Sequence, residues 1–97
     1  MEVYFSFYNF IGVYSGCFEA GKFNGYGKLT NSDGSFFEGT WKQGKMDGIG
    51  TFYGSDGTVY TGEWKQNMKN GKGVLKDPEN NILDGIWVDN EFSQSKE

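Results

Sequence analysis

The chain is 97 residues long, 19% aromatic and rich in glycine (16 residues), with a formal charge of −4 from 9 Lys against 13 Asp and Glu. That length suits one small domain with a thin core, and the aromatic content excludes a disordered or collagen-like chain. His and Arg are both absent, so the commonest general base and metal ligand and the bidentate phosphate fork are missing, and the net charge repels nucleic acid and anionic lipid.

The first segment, residues 3–8, is dense in aromatics and predicts a leading strand. It lacks the basic flank of a secretory signal, and no stretch of the chain nears the ~20 apolar residues of a membrane-spanning helix. A soluble, intracellular, cytoplasmic protein is expected. A loop at Phe10-Ile11-Gly12 would pair Tyr8 with Tyr14, Ser6 with Gly16 and Tyr4 with Phe18. Cys17 is the one cysteine, which leaves no partner for an intrachain disulfide and no thiolate metal cluster.

From Tyr14 the sequence repeats with a period of 23 residues. Tyr14, Phe37, Tyr60 and Leu83 form one class, Gly16, Gly39, Gly62 and Gly85 a second, and Phe18, Trp41, Trp64 and Trp87 a third. Gly25, Gly48 and Gly71 follow, then Gly27, Gly50 and Gly73, then Leu29, Phe52 and Leu75. Full repeats span 14–36, 37–59 and 60–82, with a partial fourth over 83–92. The whole of 1–92 reads as one domain, and 93–97 as a frayed tail.

Within a repeat Phe37, Gly39 and Trp41 alternate with Glu38, Thr40 and Lys42, the period of a strand with one apolar face. A two-residue turn at Gln43-Gly44 pairs Trp41 with Met46 and Gly39 with Gly48. Asn67 takes the turn position in the next repeat, as the residue after glycine best suited to positive φ. A three-residue loop at Ser55-Asp56-Gly57 pairs Phe52 with Tyr60, Gly50 with Gly62 and Gly48 with Trp64. Asp89-Asn90 makes a last turn that pairs Trp87 with Phe92. Each Trp then faces a glycine of the preceding strand: Trp41 on Gly25, Trp64 on Gly48, Trp87 on Gly71. These glycines are expected to leave room for an indole across bare backbone. The expected fold is all-β, a single elongated antiparallel meander of stacked hairpins. It has about eight strands and measures roughly 35–40 Å at ~4.8 Å per strand.

Phe37-Glu-Gly39-Thr-Trp41-Lys-Gln-Gly44-Lys-Met-Asp-Gly48-Ile-Gly50-Thr-Phe52 resembles the MORN repeat (membrane occupation and recognition nexus). Tyr60-Thr-Gly62-Glu-Trp64 with Gly71, Gly73 and Leu75 is a second copy, and Tyr14-Ser-Gly16-Cys-Phe18 with Gly25, Gly27 and Leu29 a third, with Phe18 in place of Trp. The resemblance implies stacked hairpins that take partners along a shallow groove. It also implies a setting in a large assembly such as ciliary or cytoskeletal machinery, or at a membrane.

The rings of Tyr14, Phe18, Phe37, Trp41, Tyr60 and Trp64 could form a partner-binding surface for a helix or extended peptide, since tyrosine and tryptophan anchor interfaces. Equally, they could only fill the hairpin stack. Lys69, Lys72 and Lys76 form a basic cluster whose ordinary use is a solvated edge and whose alternative use is to bind anionic phospholipid. Gly25-Tyr26-Gly27 and Gly71-Lys72-Gly73 have no following helix to make a phosphate loop. Asp33-Gly34 and Asp56-Gly57 lack the further ligands of a calcium loop. No cofactor or metal is implied and no catalytic residue is assigned, because Cys17 has no His to activate it. A non-enzymatic adaptor or scaffold subunit is the favoured reading, and a peripheral membrane adaptor the alternative.

Overall fold

A computed structural model of the chain describes residues 12–95 in full and 3–6 as backbone. Nine strands lie among them: β1 (Val3–Ser6), β2 (Gly12–Glu19), β3 (Lys22–Asn31), β4 (Phe36–Lys42), β5 (Lys45–Tyr53), β6 (Val59–Lys65), β7 (Met68–Lys76), β8 (Ile82–Val88) and β9 (Glu91–Ser95). They form one sheet in sequential order, every neighbour antiparallel. The molecule measures 41 × 24 × 19 Å.

Two kinds of connection alternate, and they define the two long edges of the ribbon. On one edge are tight two-residue turns. Their central residues all have positive φ, as in Gln43 (51°) and Gly44 (87°), Gln66 (50°) and Asn67 (72°), and Asp89 (50°) and Asn90 (76°). This is the type I′ geometry whose twist matches that of the strands. On the other edge are three-residue loops. Gly57 N–H donates to the Gly54 carbonyl at 3.1 Å and Gly54 N–H to the Thr58 carbonyl at 2.7 Å, with Gly57 at φ 97°. The loops at 32–34 and 78–80 repeat both bonds.

The register agrees with the sequence at Trp41–Met46, Phe52–Tyr60, Gly50–Gly62, Gly48–Trp64, Gly25–Trp41, Gly71–Trp87 and Trp87–Phe92. It differs in one pairing within the hairpins β2–β3, β4–β5 and β6–β7. Gly39 pairs with Gly50 and not with Gly48, because a bulge lets Thr40 alone face Asp47, Gly48 and Ile49. Gly48 takes φ 105° at the centre of that bulge, as do Gly25 (94°) and Gly71 (107°) in theirs. The displaced backbone is satisfied locally: Ile49 N–H donates to Thr40 Oγ1 at 3.1 Å, and Lys72 N–H to Glu63 Oε1 at 2.8 Å.

The bulge glycines are therefore not seats for the indoles. A methyl group added at Gly25, Gly48 or Gly71 would meet Cys17, Thr40 or Glu63. The bare backbone that carries the rings is elsewhere. Gly16, Gly27, Gly39, Gly50, Gly62, Gly73 and Gly85 pair in succession across seven strands. The rings of Tyr14, Phe37 and Tyr60 occupy the space that a side chain at Gly27, Gly50 or Gly73 would need. Each indole N–H reaches the same main chain: Trp41, Trp64 and Trp87 donate to the carbonyls of Gly27, Gly50 and Gly73, each at 3.1 Å.

Two further expectations change at the ends. Gly12 belongs to β2 and not to the preceding loop, so Ser6 pairs with Val13, Phe5 with Tyr14 and Tyr4 with Ser15, displacing the expected Ser6–Gly16 and Tyr4–Phe18 pairs. Residues 7–8 of the expected leading strand, with Tyr8, lie outside the described residues. The tail expected from Ser93 is instead paired through Ser95, which faces Gly85.

Candidate functional site

The apolar face is closed by its own side chains. Tyr14, Phe37, Trp41, Tyr60, Trp64 and Trp87 are all buried, and Phe18, Phe23, Leu29, Met46, Phe52, Leu75 and Phe92 pack around them. The rings form one continuous edge-to-face series: Tyr14–Trp41 (5.7 Å between centroids), Trp41–Phe37 (5.2 Å), Phe37–Trp64 (5.0 Å), Trp64–Tyr60 (5.2 Å), Tyr60–Trp87 (5.4 Å) and Trp87–Phe92 (5.1 Å). Such pairs contribute ~0.5–1.5 kcal/mol beyond the area they bury. Every indole touches rings of two successive repeats, so this series joins repeat to repeat.

The two tyrosines of the series have the polar partner that burial demands. Tyr14 hydroxyl donates to the Cys17 carbonyl at 2.9 Å and Tyr60 hydroxyl to the Glu63 carbonyl at 3.1 Å. Burial, with the nearby Glu63 charge, pushes the Tyr60 phenol up to about 12, and burial raises Tyr14 in the same direction. These are neutral structural phenols held away from water.

Of the six side chains expected to anchor a partner, Tyr14, Phe37, Trp41, Tyr60 and Trp64 are thus interior, and Phe18 is half-buried against them. They fill the hairpin stack. The lysine cluster also comes apart. Lys69 lies on the ring face, its Nζ 5.7 Å from the Tyr60 centroid and 5.6 Å from that of Trp87, and burial lowers its pKa. It takes the place that Phe23 holds over Tyr14, stacked there at 3.8 Å. Lys72 and Lys76 are exposed, and strand alternation carries them to the opposite face.

The opposite face, on which strand alternation places Tyr26, Ile49, Tyr53 and Val74 as scattered apolar residues open to a minor second contact, carries a row that this reading did not assemble. Val13, Thr30, Phe36, Tyr53, Val59, Lys76 and Ile82 pair in succession along the ribbon. Phe36 and Tyr53 stack at 4.3 Å, and Lys28 Nζ stands 4.2 Å above the Phe36 ring. Ile82 is 60% exposed, Val13 44% and Tyr53 37%. Val13, Phe36, Val59 and Ile82 share the 23-residue spacing, which was the signal available. Each immediately precedes the first ring or leucine of its repeat. Among the described residues this row packs against no core, since the core lies on the other side of the sheet.

No group of three or more His, Cys, Asp or Glu among the described residues could hold a metal ion. Cys17 is half-buried beside Gly25.

A glycine-floored, tryptophan-stitched ribbon of hairpins defines a β-repeat interaction module, the kind of architecture that presents an extended surface instead of an enclosed pocket. The sequence profile of the MORN repeat matches residues 14–36, 37–59 and 60–82, the boundaries read from the period. The chain belongs to the MORN-repeat family, a non-catalytic repeat module that serves protein or membrane-lipid interaction. A search of curated proteins returns no match.

Proposed function

We propose that this protein is a non-enzymatic adaptor that docks a partner helix or extended peptide along the apolar row Val13–Phe36–Tyr53–Val59–Ile82, in which Val13, Tyr53 and Ile82 are exposed and Phe36 and Val59 half-buried. One observation carries the reading. Val13, Phe36, Val59 and Ile82 recur once per repeat on the face opposite the core, so folding alone does not call for them. From Val13 to Ile82 it crosses six strand spacings, about 29 Å, the length of a helix of roughly nineteen residues. Tyr53 and Phe36 are the aromatic anchors such a groove needs. The setting we favour is a multiprotein intracellular assembly of the ciliary or cytoskeletal kind.

The test is affinity purification with mass spectrometry from the native source. It compares the parent chain with Phe36→Ser and Tyr53→Ser, after thermal unfolding confirms that both variants fold. Loss of the same partner from both supports the row as the docking surface. Undiminished recovery by both folded variants removes it.

A further inference from the structure

The tight-turn edge holds a second feature. A recess of about 510 Å³ opens between the hairpin tips of the first three repeats, and Lys22, Lys42, Lys45 and Lys65 line it. Four of the nine lysines of an acidic chain therefore converge on one spot. Asp47 is the one carboxylate in the lining, and its Oδ2 already accepts the Gln66 N–H at 3.4 Å.

The residues flanking each tight turn face one another across the hairpin. They are Glu19 with Lys22, Lys42 with Lys45, Lys65 with Met68, and Val88 with Glu91. The repeat framework leaves these positions free to vary, and only in the central hairpin are both of them basic. Like charges directly opposed destabilise a strand pair, so the Lys42–Lys45 pair is a local cost that an outside counter-charge would offset. The walls are fixed beforehand. Gly44 N–H donates to the Phe23 carbonyl at 2.8 Å, Asn67 N–H to the Met46 carbonyl at 2.9 Å, and Gln43 N–H to Asn24 Oδ1 at 2.9 Å.

From this placement we infer that the recess is a second docking site, separate from the apolar row, and that it takes a short acidic segment of a protein partner across Lys42, Lys45 and Lys65. The volume falls in the range of small-ligand clefts and suits a few carboxylate side chains. Glu19 and Glu91 hold the corresponding positions on the flanking hairpins of the same edge. A flat anionic membrane laid along that edge would meet both carboxylates, whereas a short segment fits between them.

The probe is a fluorescein-labelled hexaglutamate peptide, followed by fluorescence anisotropy against the full chain at low salt, with hexaglutamine as control. The recess triple variant Lys42→Gln, Lys45→Gln, Lys65→Gln is compared with an equal charge change elsewhere, Lys28→Gln, Lys72→Gln, Lys76→Gln. Binding of hexaglutamate to the parent is expected to fade as salt is added and to weaken roughly tenfold in the recess triple, as three exposed ion pairs imply. The other triple should keep parental affinity. Lys45→Gln alone should raise the unfolding temperature, since it removes the opposed charge. Equal weakening in both triples reduces the effect to net charge and overturns the site. So does absence of hexaglutamate binding, and so does flotation with phosphatidylserine-containing vesicles by a chain that ignores the peptide. Partner capture that survives the recess triple but is lost in Tyr53→Ser leaves the adaptor reading standing and rejects the recess.

Discussion

The two long edges of the ribbon are built on opposite plans. On the tight-turn edge, bonds leave one repeat and enter another. Gly44, Asn67 and Asn90 N–H groups donate to carbonyls of Phe23, Met46 and Lys69, one hairpin back. The Asn67 and Asn90 side chains accept from Met46 N–H and Lys69 N–H, each at 2.9 Å. On the loop edge the backbone bonds among the described residues close inside their own loops: Asn31 with Ser35, Gly54 with Thr58, Asp77 with Asn81. The tight-turn edge, with the indole series beside it, couples the repeats by hydrogen bonds, while at the loop edge the Phe36–Tyr53 stack reaches from beside one loop to beside the next without a hydrogen bond between the loops. In a one-dimensional stack the interfaces between repeats carry the cooperativity, so damage should spread from one edge and stay local at the other.

The largest expected effect tests that contrast directly. Trp64→Ala removes contacts to Phe37 and Tyr60 and the bond to the Gly50 carbonyl. It should cost about 3–5 kcal/mol, a large share of the ~5–15 kcal/mol that a small domain has. Phe36→Ala, on the loop-edge side and stacked only on Tyr53 among the rings described, should cost about 1 kcal/mol. Urea unfolding followed by far-ultraviolet circular dichroism measures both. Equal losses would mean that the indole series is not the coupling element.

The same contrast sets what could be read from the sequence. The period placed the repeat boundaries, both turn types and the pairing across the loops, because each depends on residues a few positions apart. The bulge escaped because it adds two residues to one strand, which leaves the in–out alternation intact. Yet it was implied. Without it Gly39 would face Gly48, and Gly48 faces Trp64, so a row begun on Gly39 would arrive at Trp64. With it the row arrives at Gly62, the true equivalent of Gly39. Straight rows of equivalent residues require the extra pair.

The candidate site was less legible for a different reason. Period-2 alternation shows that Tyr14 and Val13 face opposite ways but not which face closes over itself. Closure depends on the glycine trench, which lets rings lie flat against the sheet and shelter one another. Once the rings of Tyr14, Phe37 and Tyr60 sink there, the expected anchors become the interior. The periodic row at Val13, Phe36, Val59 and Ile82 is then left outside.

An intermediate effect comes from a paired exchange on the coupling edge. Asn67→Ala loses the side-chain bond to Met46 N–H and places alanine at φ 72°, for an expected loss of about 1–2 kcal/mol. Gly44 occupies the same place one repeat earlier at φ 87°, and an added Cβ there meets nothing within 4 Å. Gly44→Asn sets the residue of the equivalent Asn67 turn against the strain of a side chain at positive φ, and should leave stability within about 0.5 kcal/mol of the parent. Thermal unfolding of the two single variants and the double reads both effects. A Gly44→Asn loss as large as that of Asn67→Ala would show that asparagine is not suited to that turn position.

The smallest effect belongs to the loop edge and to acid. Asp33 Oδ1 accepts from the Ser35 hydroxyl at 2.6 Å and its N–H at 2.9 Å, and Asp56 Oδ1 from Thr58 N–H at 2.9 Å, while Asp77 accepts from the Asn81 side-chain amide at Oδ2 (3.1 Å) and from Asn81 and Glu79 N–H groups at Oδ1, each at 2.9 Å. These bonds favour the ionised form and hold all three carboxyls below the usual aspartate value. A depressed folded pKa gives stability that is present above the unfolded pKa, about 3.9, and that is lost as pH falls through the folded value. The unfolding temperature should therefore decline below about pH 4, and Asp33→Asn with Asp56→Asn should flatten that decline while leaving the contrast between Trp64→Ala and Phe36→Ala unchanged at neutral pH. Because each loop closes on itself, the two aspartate changes should add without coupling. A non-additive acid response would mean that the loop edge, too, transmits between repeats.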